Sequence, residues 1–161
     1  MTLLLTLTTG SVQPLFKKGN GPDDLHTVPA LAMDQLQLRG LNVDADQLGG
    51  WSNRDLDKLR DQADKAACPC LVLVDRTSLR FGHDEASSSA SSDRIQRLAA
   101  AADRLGCNGV SVVTDVSATD EDAQARAVQE LRAVMNGIES KELNLLLAIG
   151  DGLTSTPDGL I

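Results

Sequence analysis

The sequence predicts an α/β fold built on a parallel sheet. Short apolar runs alternate with longer amphipathic ones, the runs are rich in Leu and Val and nearly continuous in apolar character, and their starts are spaced by about one βαβ unit of roughly 30 residues or more. Repeated βα units of this kind argue for parallel strands joined by right-handed crossovers. Periodicity alone leaves two architectures open. One is an open doubly wound sheet, complete with five strands; the other is part of an eightfold barrel, which typically needs about 250 residues.

In chain order, the first strand is expected in "TLLLTLTT", residues 2–9. The opening "MTLLLTLTTG" lacks the basic leader, the apolar length and the small-residue cleavage site of a targeting signal, so it reads as a strand. A first helix around residues 22–36 contains Pro29, which would break or kink it. "LRGLNVDA" at 38–45 reads as the second strand. Residues 53–67 place Leu56, Leu59, Ala63 and Ala66 on one helical face, with Asn53 as N-cap. "CLVLVDR" at 70–76 gives the third strand, and "HDEASSSASSD" at 83–93 a mobile, low-complexity polar loop. Residues 92–105 repeat the helical spacing with Ile95, Leu98, Ala102 and Leu105, after a capping Ser91 or Ser92. "GVSVVTDV" at 109–116 is the fourth strand. Residues 119–138 form a last helix, with Val128, Leu131, Val134, Met135 and Ile138 on one side. Its "TDED" start supplies a cap and then acids where the helix dipole favours them. "NLLLAIG" at 144–150 reads as a fifth strand running into a glycine turn, followed by a loop and the opening of a helix.

At 161 residues and 42% hydrophobic, the chain can bury a core as one domain spanning residues 1–161. A net charge of −8 opposes binding to a phosphate backbone, and two Phe, one Trp and no Tyr leave no aromatic row for stacking bases. Nucleic acid is therefore excluded as a partner. So few aromatics also disfavour a large sticky protein interface. No segment approaches the roughly 20 apolar residues of a membrane span. Three cysteines, an odd number, with no secretory signal place the chain in the reducing cytoplasm. "CPC" lacks the two-residue spacer of common metal and redox pairs, so Cys68, Cys70 and Cys107 read as buried structural thiols.

"LAAAADRLGCNGVSVV", then a long helix, then "LNLLLAIGDGLTSTPDGLI", resembles the sugar phosphate isomerase/epimerase family, the xylose isomerase-like barrels. Members carry a similar "A..LGC..IRVN" at the fourth strand and "LNLLIENHGGLSSDP..L" at the fifth strand and its loop. Fainter likeness extends to "LRGLNVDADQL" and to "LDKLRDQADKAACPCLVLVD". The resemblance implies a partial (β/α)8 TIM barrel: about five parallel strands in sequential order, helices on the outer face, cut after the fifth strand. It also implies a sugar or sugar phosphate as ligand, and two open sheet edges that invite a homo-oligomer.

Family members hold a divalent metal at the strand C-termini, and the fifth-strand Glu of "IENHGG" is a ligand. The matching position here is Ala148, and the Asn and His after that Glu match Ile149 and Gly150. The Arg and Asn of "IRVN" match Ser111 and Val113, and the usual second-strand Glu matches Asn42. A methyl group cannot bind a metal, so the expectation is no cofactor and no isomerase activity by the family's mechanism.

Read without the family, Asp44, Asp75, Asp115 and Asp151 fall at or just past the ends of predicted strands, where parallel α/β folds place their ligand-binding sites. Four acids on one rim could gather Mg²⁺ or Mn²⁺, with Asp115 and Asp151 as the best-placed ligands. Alternatively each Asp makes a local Asx-turn or caps the next helix. His83 beside Asp84 and Glu85, and His26 beside the first helix, read as solvated side chains without a role. "GDG" at 150–152 reads as a turn, "KKGNG" at 17–21 is too small for a phosphate loop, and no Ser-His-Asp signature is present. A self-contained flavodoxin-like domain that binds a small ligand or a partner is the competing reading. It predicts strand order 2-1-3-4-5 and helices on both faces.

Overall fold

The structure, a computed structural model, describes residues 4–15, 25–116 and 120–148. Five strands form one sheet: β1 (Leu7–Thr8), β2 (Leu41–Asp44), β3 (Cys70–Arg80), β4 (Gly109–Asp115) and β5 (Asn144–Leu147). Every neighbouring pair is parallel and the order is β1-β2-β3-β4-β5. Four helices lie between them: α1 (Val28–Leu36), α2 (Asn53–Lys65), α3 (Glu85–Leu105) and α4 (Glu121–Ile138). The sequential order is that of a partial TIM barrel, and it excludes the flavodoxin-like alternative, whose sheet would run 2-1-3-4-5. No helix among the described residues is long and apolar enough to cross a membrane.

Alternation along each strand explains why the helices form one layer. Leu41, Val43, Leu73, Val110 and Val112 are wholly buried under the helices. Asn42, Val74, Ser111 and Val113, pointing the other way, are half-buried. Consecutive helices pack on one another, α1 on α2, α2 on α3 and α3 on α4. Into the resulting core they send Leu59, Ile95, Ala99, Ala102, Ala127 and Val134. Each Leu or Ile so buried stabilises the fold by about 1.5–3 kcal/mol.

Several element boundaries differ from the sequence expectation, each for a physical reason. The serine-rich stretch is helix, not loop: α3 begins at Glu85, and its N-cap is Asp84, whose side chain accepts from the backbone N–H of Ser87. Ser91 and Ser92 therefore lie inside the helix rather than capping it. Serine's weak helix propensity is overridden by tertiary hydrogen bonds. Ser88 donates to Glu130 on α4 at 2.8 Å, and Ser91 Oγ accepts from the N–H of Arg80 at 2.9 Å. Asn53 is the first residue of α2, and Ser52 caps it through a reciprocal capping box with Asp55. Pro29 does not break α1, because it sits in the first turn, where its missing N–H costs nothing. Strand β3 runs on to Arg80, past an irregularity between Val74 and Ser78, and is anchored by buried Leu79 and by Phe81 just after it.

All three cysteines are free and buried. Burial pushes each thiol pKa up, that of Cys107 to about 12. These are packing residues, as the spacing of "CPC" predicts.

Candidate functional site

The ends of β1 and β2, with Arg76 of β3, build a polar cleft at the C-terminal rim. Thr9, which follows β1, is wholly buried. Its hydroxyl accepts from the backbone N–H of Asp44 at 2.9 Å and donates to Oε1 of Gln47. Gln47 returns a bond from Nε2 to the carbonyl of Thr9 at 3.4 Å. This exchange locks the end of β1 to the turn after β2. Asp44 is thereby held with its carboxylate over the backbone of Gly10, where a Cβ would collide with Oδ2 and stand 3.2 Å from Cγ. Oδ1 of Asp44 accepts from Nε of Arg76 at 3.3 Å. The side chain of Asp44 is 10% exposed and that of Arg76 65%, so a buried acid faces a solvated cation.

Gly10, Ser11, Gln13, Asp46 and Arg76 surround Asp44 in a cleft of about 450 Å³. That volume lies within the roughly 300–1,000 Å³ of small-molecule pockets. Its acids can accept hydrogen bonds from ligand hydroxyls, while Ser11, the Gln13 amide and Arg76 can donate. This donor and acceptor set suits a polyhydroxylated ligand.

The other predicted rim acids do not join Asp44. Asp75 turns away to the helix layer, where Nε of Arg94 donates to Oδ2 at 2.6 Å and Nη2 donates to Oδ1 at 2.8 Å. The N–H of Thr77 adds a bond to Oδ1 at 3.1 Å, the Asx-turn geometry. Burial alone would raise the Asp75 pKa. The Arg94 and Thr77 hydrogen bonds and the Arg94 charge outweigh it and hold the carboxyl below its ordinary value. Asp115 ends β4 in solvent, with Nε of Arg80 4.0 Å from Oδ2. Asp151 lies outside the described residues, as do Ile149, Gly150, the 150–152 turn and the 17–21 basic stretch. Among the described residues, no three His, Cys, Asp or Glu side chains are grouped to hold a metal.

Of the two histidines, His83 is exposed as expected and His26 is not. His83 bridges two strand ends: Nδ1 accepts from Nη2 of Arg80 at 3.4 Å, which leaves Nε2–H to donate to the Asp115 carbonyl at 3.0 Å. With both nitrogens engaged it is a strut rather than a base. His26 is buried, contrary to the solvated reading, with Nε2 2.9 Å from the Asp55 carbonyl and its ring 5.1 Å from that of Trp51. Thr9, Gln47, Arg76 and Arg94 were not among the predicted site residues. Only Arg76, which closes the strand expected at 70–76, carries a local signal.

Comparison with known proteins agrees with the fold. No family model matches the chain, and neither does any curated protein. Among solved structures, the probable 3-DHS dehydratase AsbF of Bacillus anthracis superposes with TM-score 0.73 at 14% identity, over 98% of this chain and 57% of its own. A D-psicose 3-epimerase from Clostridium cellulolyticum H10, solved with D-tagatose, gives 0.67 at 12%, over 90% and 52%. A xylose isomerase domain protein from Planctomyces limnophilus gives 0.64 at 13%, over 82% and 51%. The chain shares the fold of part of these TIM barrels and spans about half the length of these structures.

Proposed function

We propose that this chain carries the ligand-binding rim of a sugar-handling barrel of the sugar phosphate isomerase/epimerase type, and that it binds a sugar or sugar phosphate without metal-dependent isomerisation. The observation that carries this reading is the cleft around buried Asp44, at the strand ends where barrel enzymes place their sites. The fold's likeness to a solved epimerase supports a sugar as ligand. Ala148, just past β5, supports the absence of metal chemistry, because a methyl group offers no lone pair where the resembling enzymes carry a carboxylate. The unpaired thiols support a reducing, cytoplasmic setting.

Calorimetric titration with ketoses and their phosphates, with and without Mn²⁺, tests the proposal. Saturable binding that Mn²⁺ leaves unchanged and that Asp44→Asn weakens at least tenfold is expected, with no interconversion of the sugars. Metal-dependent turnover, or equal affinity in Asp44→Asn, contradicts it.

A specific observation also favours self-association. Strands β1 and β5 are the sheet edges, and the exposed large apolar side chains include Leu4 and Leu5 beside β1 and Leu146 and Leu147 on β5. Apolar side chains next to unpaired strand edges favour pairing with a second copy. Light scattering should report a homo-oligomer that Leu146→Lys dissociates; a monomer at high concentration would end this part of the proposal.

A further inference from the structure

A second cleft lies in the helix layer rather than at the strand ends. It occupies about 590 Å³ between α2 and α3 and is lined by Arg60, Arg97, Arg104 and Lys141 together with Asp57 and Asp103. The two acids are already satisfied. Arg104 forks onto Asp57 with bonds of 2.7 and 2.8 Å, and Lys141 donates to Asp103 at 3.1 Å. Those pairs fix two cations in place without exhausting their donors, since a guanidinium has five N–H groups and an ammonium three. Arg60 has only a loose 3.9 Å contact with Asp64. Arg97 forms no ion pair or side-chain hydrogen bond among the described residues. Within a chain of net charge −8, the groove therefore concentrates unspent cationic donors.

We propose that this groove is a binding site for a small oxyanion, with a phosphate group as its ligand. Tetrahedral phosphate oxygens can accept from several guanidinium groups at once, and bidentate arginine recognition is the strongest of these contacts. The overall negative charge does not forbid it. Charges more than about 8 Å away are largely screened at physiological ionic strength, so a single phosphate responds mainly to the lining. A polyanion, spread over the acidic remainder of the surface, is repelled. The proposal is independent of the rim cleft, because no residue lines both.

Inorganic phosphate and glycerol phosphate, titrated separately into the full chain and followed by amide chemical shifts, test the inference. Saturable shifts in residues 97–104 are expected, weakened at least tenfold by R60Q/R97Q and reduced as salt is raised. Tighter binding of glycerol phosphate assigns a phosphomonoester ligand, and equal binding assigns the phosphate group alone. Should the double variant melt earlier than the wild type, R97Q alone removes a side chain with no ion pair or side-chain hydrogen bond among the described residues and must still weaken binding. Absence of saturable shifts with either anion, or shifts that the variants leave unchanged, overturns the proposal.

Discussion

The carboxylate of Asp44 occupies the space that a side chain at Gly10 would need. Glycine at residue 10 leaves this space to the acid: the turn after β1 passes directly beneath the Asp44 side chain that closes the rim cleft. The Thr9 hydroxyl, accepting from the Asp44 N–H, fixes the same approach from the other side.

Gly10→Ala should therefore force Asp44 out of place. The overpacking is expected to cost about 1–3 kcal/mol in urea denaturation and to weaken ligand binding at the rim. Ser11→Ala, at an exposed neighbour, should stay within about 0.5 kcal/mol of wild type. Equal stability of the two variants would show that the carboxylate does not pack as described.

The pair of Asp75 and Arg94 predicts a reversal of pH dependence. In the wild type the Asp75 pKa lies below its ordinary value, so its contribution is complete above the unfolded carboxylate pKa of about 3.9 and is lost as the pH falls through the folded value. Arg94→Met leaves burial as the dominant influence, which raises the pKa. That variant should be less stable by about 3 kcal/mol near neutrality, the lower end for a broken buried pair, and should gain stability as the medium is acidified. Thermal melts at pH 7 and pH 5 check the variant's gain, against a wild type whose Asp75 contribution stays complete over that range.

Asp84→Ala should destabilise the protein through loss of the N-cap of α3, read as a lower melting temperature. Hydrogen exchange should find the amides from residue 89 onward protected, as the helical assignment of the serine run requires. Rapid exchange through residue 93 would restore the loop reading.

That serine run marks where local sequence stops being informative. The strands were legible because their near-continuous Leu and Val runs reflect burial on a parallel sheet, and the helical faces of α2 and α4 because Leu59, Leu131 and Val134 recur at helical spacing. The start of α3 was not, because Ser88 and Ser91 owe their helical state to Glu130 and Arg80, which are distant in sequence or belong to another element. The site divides in the same way. Asp44 could be found from its place at a strand end. Thr9, which holds it, lies 35 residues earlier and has no local signature. Asp75 and Asp44 look alike in sequence, yet Asp44 pairs with Val74, so Asp75, one residue on, falls on the opposite face toward Arg94 while Asp44 faces the cleft.

Thiol chemistry should separate native from unfolded protein cleanly. With all three cysteines buried and their pKa values raised, a thiol reagent at pH 8 should leave them unmodified in the native state and label three per chain in denaturant. Rapid native labelling of Cys70 or Cys107 would contradict the packing at the start of β3 and before β4.

The most direct measurement is amide chemical-shift mapping with a ketose. If the rim cleft binds sugar, saturable shifts should centre on Gly10, Ser11, Asp44 and Gln47 and disappear in Asp44→Asn, while α2 and α3 remain unperturbed. Shifts confined to the helix layer, or none at saturating sugar, would contradict the assignment of this cleft as the sugar site.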